Sequence, residues 1–325
     1  MKRMLVLAVV MLSVVALAAA QEQPVLLQYK FVPGQKDLYT VRMTGQMPVN
    51  INPGPETGIP AMSFDTTLDM SLTMQNLCKA VNPDGSGLVE MNITAMTMRM
   101  AIAVAEQPMD IIMKWENGQL TNTLNGQAQP LDENGQKLAQ ALAATFRYTV
   151  QPTGEQKPDE ETIKLMNALY NASAFTGLDL SRLSALTSRL PAQPVAPGAT
   201  WTVEDDVSNA QGGMSGRSQM KFTGYEDLGG VRTARIEGQA TMSMHGQSPG
   251  MGGPMGMTFN LTKLETNISF VNHFDPVKGV VPVAQANLAQ NMIMMLTMGG
   301  MGGGQDINLP VTIENAQMTL ETRKQ

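Results

Sequence analysis

Residues 64–78 read FDTTLDMSLTMQNLC, and the side chains fall into two alternating sets. Phe64, Thr66, Leu68, Met70, Leu72, Met74, Asn76 and Cys78 form one set; Asp65, Thr67, Asp69, Ser71, Thr73 and Gln75 form the other. Successive side chains of a strand point to opposite faces, so the stretch predicts a long strand with one greasy and one wet face. It stops at Asn82-Pro83-Asp84-Gly85, where proline presets the bend and glycine supplies a positive φ. A second strand returns from Leu88, which makes a hairpin with long arms.

The returning strand changes phase. Val89, Met91, Ile93 and Ala95 are apolar at odd positions, whereas Met96, Met98, Met100, Ile102 and Val104 are apolar at even ones. A slip of one residue would send the apolar set to the wrong face, so a β-bulge is expected near Ala95. Bulges bend strands, and long bent strands with one apolar face suit a sheet that curls.

The second half of the chain repeats the plan. Pro197-Gly198-Ala199-Thr200-Trp201-Thr202-Val203 echoes Pro33-Gly34 and the Leu38-Tyr39-Thr40-Val41 that follows. The next hairpin's return arm sets Ala234, Ile236, Ala240, Met242 and Met244 against Arg235, Glu237, Gln239 and Thr241. A strand over Met257 to Phe274 shifts phase again, from Met257, Phe259 and Leu261 to Leu264, Ile268, Phe270 and Phe274. Glu116-Asn117-Gly118-Gln119 and Asp275-Pro276-Val277-Lys278-Gly279 supply further turns. An internal duplication follows from this layout.

Between the halves the period becomes helical. Leu138, Ala141, Leu142 and Thr145 mark a helix over Asp132 to Phe146. Ile163, Met166, Leu169 and Tyr170 mark another over Asp159 to Tyr170, and Leu180, Leu183 and Leu186 a third behind Asp179. These narrow apolar stripes need a surface, and the greasy sheet face is the expected one. Gly246 to Gly256 and Gly299 to Gly304 read as loops, and Pro48 to Pro60 as an exposed connection. The fold class is therefore mainly β with a helical insert (α+β). It is a long curved antiparallel sheet or half-barrel, with β halves at 21–130 and 191–325 around an insert at 131–190.

Residues 1–20 have the form of a secretory signal. Lys2 and Arg3 precede an apolar run from Leu5 to Leu17, broken only by Ser13, and Ala18-Ala19-Ala20 predicts cleavage before Gln21. The run falls short of the ~20 residues of a spanning helix, and no later segment has that length of apolar residues. Export to the periplasm or exterior is expected, without a lipid anchor, since no cysteine adjoins the cleavage point. Without Lys2 and Arg3 the chain carries 20 basic and 28 acidic residues. That balance argues against binding nucleic acid or an anionic lipid surface. Cys78 is the single cysteine, so no intramolecular disulfide forms and the core must supply the stability. The 28 methionines, against 2 Trp, 5 Tyr and 8 Phe, make that core of unbranched, deformable side chains.

No complete catalytic constellation is legible, and no cofactor motif. Gly246-Gln247-Ser248-Pro249-Gly250 matches G-x-S-x-G, but glycines and a proline follow where a nucleophile elbow needs a helix. His245 and His273 are the only histidines, too few for a zinc site. Asp205-Asp206 and Glu160-Glu161 are sequence neighbours rather than converging pairs. The three Asn-x-Ser/Thr patterns at Asn92, Asn260 and Asn267 fall inside predicted strands. Met242, Met244, His245, Met251, Met255 and Met257 gather soft ligands within sixteen residues, a donor set suited to Cu(I).

The phrase Leu190-Pro191-Ala192-Gln193-Pro194-Val195-Ala196-Pro197-Gly198-Ala199-Thr200-Trp201, with Tyr29-Lys30-Phe31-Val32-Pro33-Gly34, resembles exported bacterial proteins of an uncharacterised family. The resemblance implies export but carries no activity. In layout the long strands wrapping helices are similar to lipoprotein-carrier half-barrels of the LolA kind, an analogy of fold alone. The expectation is a non-enzymatic envelope protein whose Met-rich concave sheet binds a lipid or other apolar ligand. The alternatives are a Cu(I)-binding protein and a structural or partner-binding envelope component.

Overall fold

The computed structural model describes residues 23–54, 60–103, 108–172, 189–209, 212–245, 251–252, 257–298 and 307–325. The chain opens with β1 (Lys36–Ile51), β2 (Met62–Val81), β3 (Gly87–Ala103), β4 (Met109–Glu116), β5 (Gln119–Leu124) and β6 (Gln127–Gln129). Helix α1 (Glu133–Ala143), strands β7 (Thr145–Val150) and β8 (Gln156–Pro158), and helix α2 (Glu160–Ala172) follow. The second run comprises β9 (Thr200–Asn209), β10 (Gly212–Leu228), β11 (Val231–His245), β12 (Met251–Gly252), β13 (Met257–Asp275), β14 (Val280–Met298) and β15 (Ile307–Lys324).

All these strands join one curved, open antiparallel sheet in the order β6-β5-β4-β3-β2-β1-β15-β14-β13-β11-β10-β9. Off that path, β7 pairs with β3 and β8, and β12 with β13. The first and last strands are neighbours, from Tyr39 opposite Lys324 to Ile51 opposite Val311. The two halves of the meander are thus joined in its middle. Among the described residues no helix is long and apolar enough to cross a membrane.

The bulges fall where the alternation breaks, and three share one chemistry. Thr94 is the extra residue between Ile93 and Ala95, opposite Met74 and Thr73. Its hydroxyl donates to the Thr73 carbonyl at 3.2 Å. Thr262 is extra on β13 and donates to Ile293 O at 2.9 Å; Thr223 is extra on β10 and donates to Arg235 O at 3.2 Å. In each case the hydroxyl meets a carbonyl on the strand opposite the bulge.

The two Pro-Gly openings are alike in their hydrogen bonds. Gly34 N donates to Cys78 O at 2.8 Å and Cys78 N to Gln35 O at 3.0 Å. Gly198 N donates to Phe222 O at 2.6 Å and Phe222 N to Ala199 O at 3.0 Å. Both glycines have positive φ, 82° and 94°, which side-chain-bearing residues rarely adopt. The residue after each carbonyl partner, Lys79 and Thr223, is the bulged one.

Three sequence expectations are corrected. The first helix ends at Ala143, and Thr145 and Phe146 belong to β7, because Thr145-Phe146-Arg147-Tyr148-Thr149-Val150 is β-branched and aromatic and pairs with Gly87–Asn92. On α2, Ile163 is 46% exposed, whereas Leu165 and Met166 pack on the core. Asp159 caps that helix through Thr162 N at 2.7 Å, and Thr162 Oγ1 accepts from Arg147 N at 2.7 Å, which turns the Thr162 side toward the sheet. The segment from Pro48 is not wholly a connection: β1 runs through it to Ile51, paired with β2 and β15. The β1–β15 register shifts between Gln46 and Val49, the stretch that holds Pro48, whose nitrogen has no hydrogen to donate. The third helix expected at Leu180 to Leu186 and the Gly299 to Gly304 run lie outside the described residues.

One continuous core unites the sheet with α1, whose Leu138, Ala141 and Leu142 are buried. Across four neighbouring strands the register aligns Met43, Met70, Met98 and Met113 in a single transverse row. Met43, Met70 and Met98 are 4%, 1% and 2% exposed, so this stretch of the concave face is packed.

Candidate functional site

Residues 25–35 form a strap across one end of the sheet. Val25 and Val195 exchange backbone hydrogen bonds at 2.9 Å, Tyr29 N donates to Pro152 O at 2.8 Å, and Lys30 N to Gly279 O at 3.2 Å. The Lys30 ammonium donates to the Pro276 and Val277 carbonyls at 3.1 and 2.9 Å. Tyr29 meets Phe274 edge to face at 5.4 Å, Leu27 is fully buried, and the Phe31 ring lies where a Cβ on Gly87 would stand. The strap therefore ties the β2–β3, β7–β8 and β13–β14 turns together.

Beneath it lies a cavity of about 200 Å³. Val41, Leu72, Met74 and Ile93 give its sheet wall; Phe146, Tyr148 and Met166 close it from the insert. Val280, Val281 and Ala284 face them from β14, and Tyr29 and Phe31 of the strap cover it. Its volume exceeds the roughly 150 Å³ that admits benzene into an apolar protein cavity.

The lining is apolar with a few polar groups. Burial pushes the Tyr29 and Tyr39 phenols well above the ordinary tyrosine range, with a smaller rise at Tyr39 from the Asp37 charge. Tyr148 is pushed up to about 12 by burial and then by Asp159, and its hydroxyl donates to Met166 Sδ at 3.8 Å. Asp37 pairs with Lys324 at 2.7 Å and accepts from Gln35 Nε2 at 3.0 Å on both oxygens. Burial raises the Cys78 thiol. Two buried oxygens, Asn76 Oδ1 and Thr322 Oγ1, have no hydrogen-bond partner among the described residues.

Of the residues singled out from sequence, Met242 is half-buried opposite Thr266, in a separate trough of about 510 Å³ with Glu204, Arg217 and Glu265. Met244 and His245 pair in backbone register with Leu264 and Lys263, and Met251 with Phe259; Met257 opens β13. The side chains of Met244, His245, Met251 and Met257 lie outside the described residues, as do those of Asp205 and Asp206 on β9. Met255 and the Gly246 to Gly250 motif lie wholly outside them. Glu160 and Glu161 open α2. Asp275 is buried and accepts from Val277 N and Lys278 N, both at 2.9 Å, so it holds the turn. His273 Nδ1 lies 3.6 Å from Glu226, next to Arg235 rather than the cavity. Among the described residues no three His, Cys, Asp or Glu side chains gather as a metal site. Sequence reasoning passed over Asn76, Thr322 and the tyrosines; the legible signal was Asn76, a polar residue on the greasy face of β2.

No family model and no curated protein matches the chain. Similar solved structures include lipovitellin, described for lipid–protein interactions, at 11% identity and TM-score 0.43; the match covers 91% of this chain and 25% of that one. The chain thus spans a quarter of the lipovitellin chain. An outer membrane channel from Pseudomonas putida F1 matches at 10% identity and TM-score 0.24, over 91% of this chain and 98% of that one. A β-barrel-like protein of a domain of unknown function from Brucella abortus matches at 9% and 0.19, over 86% and 98%.

Proposed function

We propose that this is an exported envelope protein that holds a small apolar molecule, or the end of an acyl chain, in the cavity under the strap. The carrying observation is the space itself: about 200 Å³ walled by Leu72, Met74, Ile93, Phe146 and Ala284. The Met43–Met70–Met98 row is buried, so that stretch of the sheet offers no space. The ligand is placed at the strap end of the sheet rather than on that methionine row. Met74, Met91 and Met166 around it are deformable side chains that tolerate varied apolar shapes. The Lys2-Arg3 start, the apolar run and Ala18-Ala19-Ala20 support export.

Native mass spectrometry and solvent extraction of protein purified from an envelope fraction test the reading, with Ala284→Phe as the variant that fills the space. A bound apolar mass in the wild type that is lost in Ala284→Phe is expected. An empty wild-type protein that takes up no short-chain apolar probe would overturn it. Amino-terminal peptide analysis of the same material is expected to find Gln21 first.

A further inference from the structure

We propose that the strap end of the sheet docks on a lipid bilayer, with Val32 and Val277 inserted among the lipids and the lysines beside them set against the lipid phosphates. Eight large apolar side chains are exposed among the described residues, and five of them, Leu26, Val32, Val81, Leu88 and Val277, lie on the strap or flank the turns it ties together. Exposed apolar residues scattered singly are ordinary, whereas a gathering at one end of a sheet marks an interaction site. Val277 is 78% exposed and Val32 57%. Turn tips are normally polar, because they face water. Val277 nevertheless occupies the tip of the β13–β14 turn, between Pro276 and Lys278.

Lys30 holds the two tips together. Its ammonium donates to the Pro276 and Val277 carbonyls, and its amide to Gly279 O, two residues before Val32 in the chain. Lys30 and Val32 are exposed and also border the cavity, so an apolar molecule leaving the bilayer would enter beside them.

Charge identifies the partner. Lys30, Lys36 and Lys278 are exposed at this end, and among the described residues none of them is in a salt bridge. The acids nearby are engaged: Asp84 accepts from Ser86 N at 2.9 Å, Asp275 binds Val277 N and Lys278 N, Glu155 pairs with Lys157 and Asp37 with Lys324. The chain as a whole is acidic and disfavours an anionic surface, but this end presents free ammonium groups around exposed valines. That pattern matches the boundary between acyl chains and phosphates, where valines leave water and lysine stems reach back to the head groups.

Sedimentation with vesicles of phosphatidylethanolamine and phosphatidylglycerol tests this. Wild-type protein is expected to bind, and Val277→Asp to bind about tenfold more weakly, because a charge replaces a side chain buried in lipid. Met62→Asp, at an exposed methionine on the opposite end of β2, is expected to bind as the wild type does. In Val277→Trp the vesicles should shift the added indole's emission to the blue, and in Met62→Trp they should not. Urea unfolding checks that each variant folds. No wild-type binding, an unshifted emission in Val277→Trp, or equal losses in Val277→Asp and Met62→Asp would overturn the docking surface; valines that meet a protein partner instead of lipid would give that result. Uptake of a short-chain apolar probe without vesicles is expected in both wild type and Val277→Asp, since Val277 lies outside the cavity lining. Vesicle binding without such uptake would remove the cavity reading and leave the docking surface standing.

Discussion

The indole nitrogen of Trp115 on β4 donates to the carbonyl of Ile93 on β3 at 3.1 Å, and both residues are buried. Ile93 borders the Thr94 bulge, where the β2–β3 ladder is interrupted, so the indole reaches a carbonyl beside the break. A buried carbonyl stripped of its donor carries a desolvation penalty of about 1–3 kcal/mol. Trp115→Phe keeps most of the ring but not the N–H, and urea unfolding should register a loss in that range. An unchanged midpoint would mean that the bond contributes nothing.

Thr94 offers a sharper contrast. Thr94→Val keeps the branched shape and loses only the bond to Thr73 O, at a cost of about 0.5–1.5 kcal/mol. Deleting Thr94 instead makes the ladder regular, with Ile93 opposite Met74 and the next residue, Ala95, opposite Thr73, so Met96, Met98 and Met100 stay inward and only the local bend is lost. Both variants are expected to fold, with urea unfolding registering the lost hydrogen bond in the first and the straightened strand in the second. A deletion variant as stable as the wild type would mean that the bulge contributes nothing to the fold.

The methionine row should be inert and shape-sensitive. Buried Met70 stands opposite Met43 and Met98 in register, and Met70→Ala should cost about 2–5 kcal/mol, but Met70→Leu under about 1.5. Under mild peroxide, peptide mass spectrometry should find Met62, 40% exposed, oxidised well before Met43, Met70 or Met98. Simultaneous oxidation of all four would show that the row opens to solvent.

Gly279 seats the strap. It has φ of +66°, and a Cβ there would run into the Lys30 amide nitrogen. Gly279→Ala combines left-handed strain of roughly 1–2 kcal/mol with that clash. Hydrogen exchange over 25–32 should accelerate in Gly279→Ala. Gly229→Ala, with φ of +61° but open space around it, should leave the strap unaffected.

The buried phenols give an alkaline signature. Tyr148 is pushed up to about 12, and Tyr29 and Tyr39 are raised further, against an ordinary value near 10. Neutral phenol is favoured in the folded state, so this contribution is complete below pH ~10. It is lost between ~10 and the folded values as the unfolded chain ionises. Spectrophotometric titration should show these tyrosines ionising late in native protein and together near 10 in urea. Coincident titration in both states would contradict their burial.

The strands, the main hairpin turns and two of the bulges were legible because alternation is a local, one-dimensional signal. Phe64 to Cys78 declares its two faces by itself, and the phase breaks at Thr94 and Thr262 locate the extra residues. The threonine at each break was visible too, but its meaning needed the opposite strand's carbonyl. Phe146 was misread as helical because Leu138, Ala141, Leu142 and Thr145 sustain a helical spacing up to it; pairing with Met91 decides otherwise. Ile163 was misread because a helix's rotation is set by its cap and by Thr162's bond to β7.

Alternation and phase, which depend only on neighbours along the chain, determined a curved antiparallel sheet with an interior rich in methionine. Only the tertiary structure decided that β1 lies beside β15, that the strap crosses three distant turns, and that Asn76 faces an unfilled space. Those depend on contacts between residues far apart in sequence, where the cost of closing long loops and the fit of side-chain volumes settle the outcome and no local pattern records it.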